Sequence, residues 1–264
     1  MKYINTNKLE KLKINKDNVY LAIDFDKTIT AEESDDSWAV SGKLLGEDFA
    51  KEINTLYKKY RPIEIDYKIS IQEKEKAMVE WYEKCMYLYY KYHLTQEKIK
   101  ESVEKSNLIY REGAKEFLQK AYQKKIPIII LSAGIGNVIE QFLRETNCYF
   151  DNIYIISNFM EFDEIGKVKK FDTSKMIHTL NKTMKGKLPN KYAEKIKNKT
   201  YKILMGDLKE DEKMIEKEEW DTTLKVGILD KEKEERLKVY QEAFDIVLTG
   251  QDATFDMLNE IIEK

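Results

Sequence analysis

A chain of 264 residues can form one large domain, or a core that carries a smaller insertion. Hydrophobic residues make up 42% and charged residues 36%, and the formal net charge is −2. The surface is therefore evenly charged, and no basic block offers a nucleic acid an electrostatic footprint. No apolar stretch approaches membrane-spanning length, and Met1-Lys2-Tyr3-Ile4-Asn5 lacks the apolar core of a signal peptide. Cys85 and Cys148 show neither paired nor metal-ligand spacing, so reduced thiols and a cytoplasmic location are expected.

The first strand signal is Val19-Tyr20-Leu21-Ala22-Ile23, a short run rich in β-branched and aromatic residues, and it ends in Asp24-Phe25-Asp26-Lys27-Thr28. Side chains alternate along an extended backbone, so both aspartates would face one side, where two unpaired anions repel. Folding alone gives no reason for that pair. A divalent cation does, and so does chemistry that needs one carboxylate as nucleophile and its neighbour as acid.

From about Asp36 to Tyr110 the pattern is helical, with Phe49, Ile53, Leu56 and Tyr57, and again Met78, Trp81, Tyr82, Cys85 and Met86, at helical spacing. Arg61-Pro62 is expected to break the first of these runs, and Thr95-Gln96-Glu97-Lys98 to cap the start of another. A second buried strand, Ile126–Leu131, leads into Ser132-Ala133-Gly134-Ile135-Gly136-Asn137 and a helical segment over Val138–Leu143. Backbone N–H groups at such a helix start, beside a serine hydroxyl, make a phosphate seat.

Ile153–Asn158 is a further strand. Phe159 to Phe171 reads as a β-hairpin turning at Asp163–Gly166. Tyr201–Met205 again ends in acids, Asp207 and Asp211, at the strand end where open α/β sheets place their sites. Strands over Leu224–Leu229 and Phe244–Leu248, with helices over Lys231–Tyr240 and Phe255–Ile262, complete the alternation. The expected fold is α/β: a doubly wound, mainly parallel sheet with an inserted helical cap. The core spans residues 1–33 and 111–264, and the cap residues 34–110.

The Asp24-x-Asp26-x-Thr28 pattern closely resembles the signature of haloacid-dehalogenase-like phosphohydrolases. Ser132–Gly136, Ser157–Glu164 and Ile177-His178-Thr179-Leu180-Asn181-Lys182 narrow the resemblance to the cytosolic 5′-nucleotidase III (pyrimidine 5′-nucleotidase) family. Cap stretches Tyr60–Asp66 and Met78–Tyr82, and Tyr240–Leu248 near the C-terminus, are similar as well. The resemblance implies Mg²⁺-dependent hydrolysis of nucleoside 5′-monophosphates through an aspartyl-phosphate. By that resemblance Asp24 is nucleophile and metal ligand, and Asp26 is acid/base and supplies a backbone carbonyl to the metal. Ser132 and Ala133 hold the phosphoryl group, Lys182 neutralises it, Asp207 completes the metal site, Asp211 orders metal-bound water, and Glu64 meets the nucleoside.

The chain departs from the family pattern at Leu208 and Glu210, where Ser and Gly are usual, and at Cys85, where better-known members carry serine. These departures leave the base preference open. His178, by contrast, reads as a packing residue. The expected partner is a small nucleoside monophosphate, with neither nucleic acid nor membrane, and with a monomer favoured. A phosphatase of the same fold acting on a phosphoamino acid or sugar phosphate is the nearest alternative. A binding protein on the same scaffold is disfavoured, because every motif acid and the lysine are present.

Overall fold

The computed structural model describes residues 2–66, 68–169, 171, 173–230 and 234–263. Its centre is a seven-stranded sheet: β1 (Lys2–Ile4), β2 (Val19–Ile23), β3 (Ile128–Ile135), β4 (Ile153–Asn158), β5 (Tyr201–Gly206), β6 (Thr223–Leu229) and β7 (Ile246–Thr249), in the spatial order β1-β7-β6-β5-β2-β3-β4. Every neighbouring pair is parallel except β1 with β7. Around the sheet run α1 (Thr6–Lys11), α2 (Ser37–Gly42), α3 (Glu47–Ile65), α4 (Ile71–Lys91), α5 (Gln96–Glu104), α6 (Ala114–Gln123), α7 (Gly136–Glu145), α8 (Asn190–Ile196), α9 (Glu234–Ala243) and α10 (Asp256–Glu263).

The continuous apolar runs follow from a sheet covered on both faces. Along β2, Val19, Leu21 and Ile23 enter one core, and Tyr20 and Ala22 enter the other. Along β3, Ile128 and Ile130 part from Ile129 and Leu131 in the same way. Strand β2 lies between β5 and β3, so its carboxyl end meets theirs at the middle of one sheet edge.

Two local expectations are corrected, and a third is shortened. Strand β3 does not stop at Leu131 but continues to Ile135, with its register to β4 shifting between those residues, so Ser132–Gly134 form a bulge rather than a free loop. Pro62 does not break its helix. α3 runs one turn past it to Ile65, because the lost N–H falls near the helix end and the Pro62 carbonyl still accepts from Asp66 N (3.1 Å). The hairpin after β4 is present but short: Phe162 bridges Val168, Asp163 N donates to Lys167 O (2.8 Å) and Lys169 N to Glu161 O (2.7 Å), and the return arm also donates from Val168 N to Leu94 O (3.0 Å), just before α5. Lys170 of that hairpin, and residues 231–233 of the expected helix over Lys231–Tyr240, lie outside the described residues.

Between β2 and β3, α3 packs along α4, while α2 and α5 pack on each other and on α7. Thr95 caps α5 by accepting from Lys98 N, as its sequence predicts. α4 begins with a full capping box between Ser70 and Glu73.

Candidate active site

The turn after β2 separates its two aspartates. Asp24 stays extended, but Lys27 takes the left-handed region at φ 60°, unusual for a residue with a side chain. That conformation is held by Lys27 N donating to Thr30 Oγ1 (2.8 Å) and by the ammonium donating to the carbonyls of Glu32 (2.9 Å) and Ser34. The Asp24 side chain therefore meets the lysine, and the Asp26 side chain meets α2.

Asp24 is buried, and its Oδ1 lies 2.5 Å from Lys182 Nζ, which also donates to Asp211 Oδ1 (2.7 Å). Asp24, Asp207 and Asp211 bring carboxylate oxygens within 4.8 Å of one another. Burial, with Asp211 beside it, pushes Asp24 up to about 6 despite the neighbouring lysine. Asp207 is raised for the same reasons, burial first, then Asp24 and Asp211. Burial also works against the charge on Lys182, but Asp211 and Asp24 more than offset it and hold the ammonium above its ordinary range. Three carboxylates thus face one ammonium, an excess of negative charge that a divalent cation would neutralise. An all-oxygen donor set suits a hard cation. Glu210 is not part of this cluster.

Asp211 is fixed from two sides, since its other oxygen accepts from Leu208 N (2.9 Å). Gly206 makes room for it, because a Cβ there would stand 2.2 Å from Asp211 Oδ2. Asp207 is held through its backbone carbonyl, which accepts from the Tyr240 hydroxyl, and Thr28 Oγ1 reaches its carboxylate at 3.5 Å.

Asp26 accepts two hydrogen bonds from the first residue of α2, Ser37 N (2.8 Å) and Ser37 Oγ (2.6 Å). Burial lifts its carboxyl to about 7, with the bonds from Ser37 opposing and Asp36 and Asp24 adding to the rise. A group held there can give a proton and take it back near neutral pH. The bulge of β3 closes against it: a Cβ on Gly134 would lie 2.1 Å from Ser37 Oγ and 2.6 Å from Asp26 Oδ2. Within the bulge, Ser132 Oγ accepts from Gly134 N (3.0 Å), and the Ala133 carbonyl accepts from Trp38 Nε1 (3.1 Å) and Asn158 Nδ2 (2.9 Å).

Glu64 reaches the segment that carries Lys182. Its Oε1 accepts from Thr179 Oγ1 (2.9 Å), three residues before Lys182, and its Oε2 pairs with Arg61. Nearby, Tyr82 meets His178 edge-on, with centroids 6.3 Å apart. Burial holds His178 down at about 4, hence neutral. Beside Tyr82, a cleft of about 690 Å³ opens between α2, α3 and α4, lined by Trp38, Phe49, Tyr57, Trp81, Tyr82 and Cys85. Burial pushes the Cys85 thiol up to about 12, so it serves there as an apolar wall and not as a nucleophile.

Three contributors had no motif to announce them, Ser37, Trp38 and Arg111, and Asn158 lay within the Ser157–Glu164 motif without an assigned role. Arg111 is buried and binds Asp230 through two nitrogens (2.7 and 2.8 Å), and it donates to the carbonyls of Thr28 (3.0 Å), Ala253 (3.1 Å) and Lys27. The available signal was a polar residue flanking an otherwise apolar or structured run, as with Asn158 at the end of β4.

A mainly parallel sheet with acids at the carboxyl ends of β2 and β5, and a lysine between them, is the arrangement of a phosphohydrolase. The family model described as pyrimidine 5′-nucleotidase (UMPH-1) matches residues 34–264, a span that begins after Asp24 and Asp26. The 7-methylguanosine phosphate-specific 5′-nucleotidase of Mus musculus is 37% identical over 223 residues, covering 84% of this chain and 74% of the relative. That of Homo sapiens is 33% identical over 255 residues, covering 94% and 84%. A crystal structure of cytosolic 5′-nucleotidase IIIB bound to cytidine matches with a TM-score of 0.85 at 30% identity, covering 97% of this chain and 89% of that one. A substrate-bound phosphoserine phosphatase, at 16% identity and a TM-score of 0.58, shares the fold. The chain belongs to the pyrimidine 5′-nucleotidase family and is a phosphoric monoester hydrolase with a haloacid-dehalogenase-like core.

Proposed function

We propose that this enzyme hydrolyses nucleoside 5′-monophosphates, pyrimidine nucleotides among them, to nucleoside and phosphate. Asp24 is the nucleophile and Asp26 the acid/base. The observation that carries the reading is the convergence of Asp24, Asp207, Asp211 and Lys182 at one sheet edge, with Asp26 held separately by Ser37. Asp24 attacks phosphorus while the nucleoside oxygen departs, and Asp26 gives that oxygen a proton. Asp26 then takes a proton from the water that releases the phosphate from Asp24.

Lys182, Ser132 and the backbone at Ala133 hold the phosphoryl oxygens. Lys182 also keeps Asp24 ionised, against the burial that raises it. Asp24 and Asp207, with the Asp26 carbonyl, would hold Mg²⁺, and Asp211 would order its waters. The bound cation would screen the attacking carboxylate from a dianionic ester.

Residues 34–110 act as a cap that selects the substrate. The aromatic cleft beside Tyr82 offers a base its faces, and Glu64 offers an acceptor to the nucleoside. A cytoplasmic location accords with two buried free cysteines, and no helix among the described residues is long and apolar enough to cross a membrane. The monomer is the proposed state.

The test is phosphate release with Mg²⁺ across nucleoside monophosphates, 7-methylguanosine monophosphate included, together with sugar phosphates and phosphoserine. The expected order puts nucleotides first. A sugar phosphate or phosphoserine turned over faster than every nucleotide would overturn the assignment.

A further inference from the structure

We propose that Asn158, which touches neither phosphate nor metal in the scheme above, is a positioning residue that sets the two halves of the phosphate grip against each other. The proposal rests on the reading that Ser132, Ala133 and Lys182 hold the phosphoryl group. Asn158 ends β4 and is almost completely buried, at 1% exposure. Both of its amide donors and its carbonyl oxygen go to two segments far apart in sequence. Its Oδ1 accepts from Ile177 N (2.8 Å) and its Nδ2 donates to Ile177 O (2.8 Å), a two-bond pairing like a rung of sheet made by a side chain. The same Nδ2 donates to Ala133 O (2.9 Å).

Ile177 opens the segment that leads to Lys182. That segment has its own internal bonds, Asn181 Nδ2 to Met176 O (2.9 Å) and Asn181 Oδ1 from His178 N (2.9 Å), so it moves as a unit with its Ile177 end. Ala133 lies in the bulge of β3, where the strand leaves register and its ladder bonds with β4 lapse between Leu131 and Ile135. Asn158 replaces the missing ladder: its backbone pairs with Ile135, and its side chain holds the bulge carbonyl. Turning that carbonyl toward Asn158 fixes the Ala133–Gly134 peptide, whose own N–H donates to Ser132 Oγ (3.0 Å), and so orients the serine that seats the phosphate. One buried amide therefore ties the phosphate seat directly to the segment that carries the lysine, while Trp38 holds the same carbonyl from the cap side. The metal-side carboxylates Asp24 and Asp207 sit at the ends of other strands and make no bond to it.

The separation between the two sides makes the proposal testable. With Mg²⁺ present, inorganic phosphate binding is measured by calorimetry in wild type, Asn158→Ala, Asn158→Asp and Lys182→Ala, beside Mg²⁺ affinity and steady-state kinetics. Losing donors to two buried carbonyls is expected to weaken phosphate binding about tenfold or more in both Asn158 variants, with a matching fall in kcat/KM, and to leave Mg²⁺ affinity within about twofold. Asn158→Asp keeps the shape and one acceptor, so it reports even where Asn158→Ala does not fold. Equal losses of phosphate and Mg²⁺ affinity would mean general structural damage and would overturn the proposal, as would unchanged phosphate affinity. If Lys182→Ala leaves phosphate binding intact, the phosphate grip itself falls, and the proposal with it. If Lys182→Ala weakens binding while the Asn158 variants do not, only the role of Asn158 falls.

Discussion

Replacing Arg111 with methionine should damage the enzyme more than any surface change, and the structure indicates by how much. The methionine keeps most of the buried stem but removes five hydrogen bonds: two to Asp230 and one each to the carbonyls of Lys27, Thr28 and Ala253. Asp230, only 15% exposed, is left as a nearly buried carboxylate without its partner. Breaking a buried ion pair by removing one member costs about 3–5 kcal/mol. At roughly 2–4 °C per kcal/mol for a chain of this size, Tm should fall by roughly 10 °C. The double variant Arg111→Met/Asp230→Leu removes the stranded charge and should recover about half of the loss.

The same substitution should reach the chemistry. Lys27 and Thr28 directly follow Asp26, so freeing their carbonyls loosens the turn that separates the two aspartates. Measured well below the lowered Tm, kcat should fall by about tenfold or more. Urea unfolding and steady-state kinetics on the three proteins check both parts. A single variant within about 1 kcal/mol of wild type would refute the reasoning, because the ion pair would then contribute no more than an exposed one.

Gly206→Ala should cost activity far beyond its effect on stability. Its new Cβ would stand 2.2 Å from Asp211 Oδ2 and so dislodge the carboxylate that orients Lys182, which steady-state kinetics beside thermal unfolding will show. His178, held at about 4 against an ordinary value of 6.5, is protonated more readily in the unfolded chain. Stability from it is therefore full above about pH 6.5 and lost as pH falls toward 4, at most about 3 kcal/mol. The difference in unfolding free energy between wild type and His178→Asn, followed from pH 7 to 4, isolates this term, because the raised carboxylates of the site cancel in the subtraction. Glu64→Ala should slow a nucleoside monophosphate far more than para-nitrophenyl phosphate. Equal losses on both would move Glu64 out of substrate recognition.

The strands at the centre of the sheet were legible because each is buried on both faces and reads as an unbroken apolar run, as Val19–Ile23 does. Strand β1 was not: Lys2, Tyr3 and Ile4 carry no pattern of their own and are strand only because β7 lies beside them. Pro62 misled because its cost depends on position, and near a helix end the lost bond matters little. The acids of the site stood out because carboxylates after apolar strands cost solvation that folding does not repay. Ser37 and Arg111 announce nothing in sequence, and Asn158 shows only as one position of the Ser157–Glu164 likeness. Each is an ordinary polar residue whose role arises from contacts 11 to 142 positions away. Even Glu64 was legible only as a likeness to other caps, and its bond to Thr179 spans 115 positions.

The central claim is that Asp24 carries the phosphoryl group during turnover. Enzyme with Mg²⁺ is mixed with a nucleoside 5′-monophosphate labelled in its phosphate, quenched in acid within the first turnover, and digested for peptide mapping. The expected result is label on the peptide that contains Asp24, released by hydroxylamine, and absent from Asp24→Asn protein that is folded but inactive. Turnover by Asp24→Asn at a near-normal rate, with no labelled peptide in wild type, would contradict it.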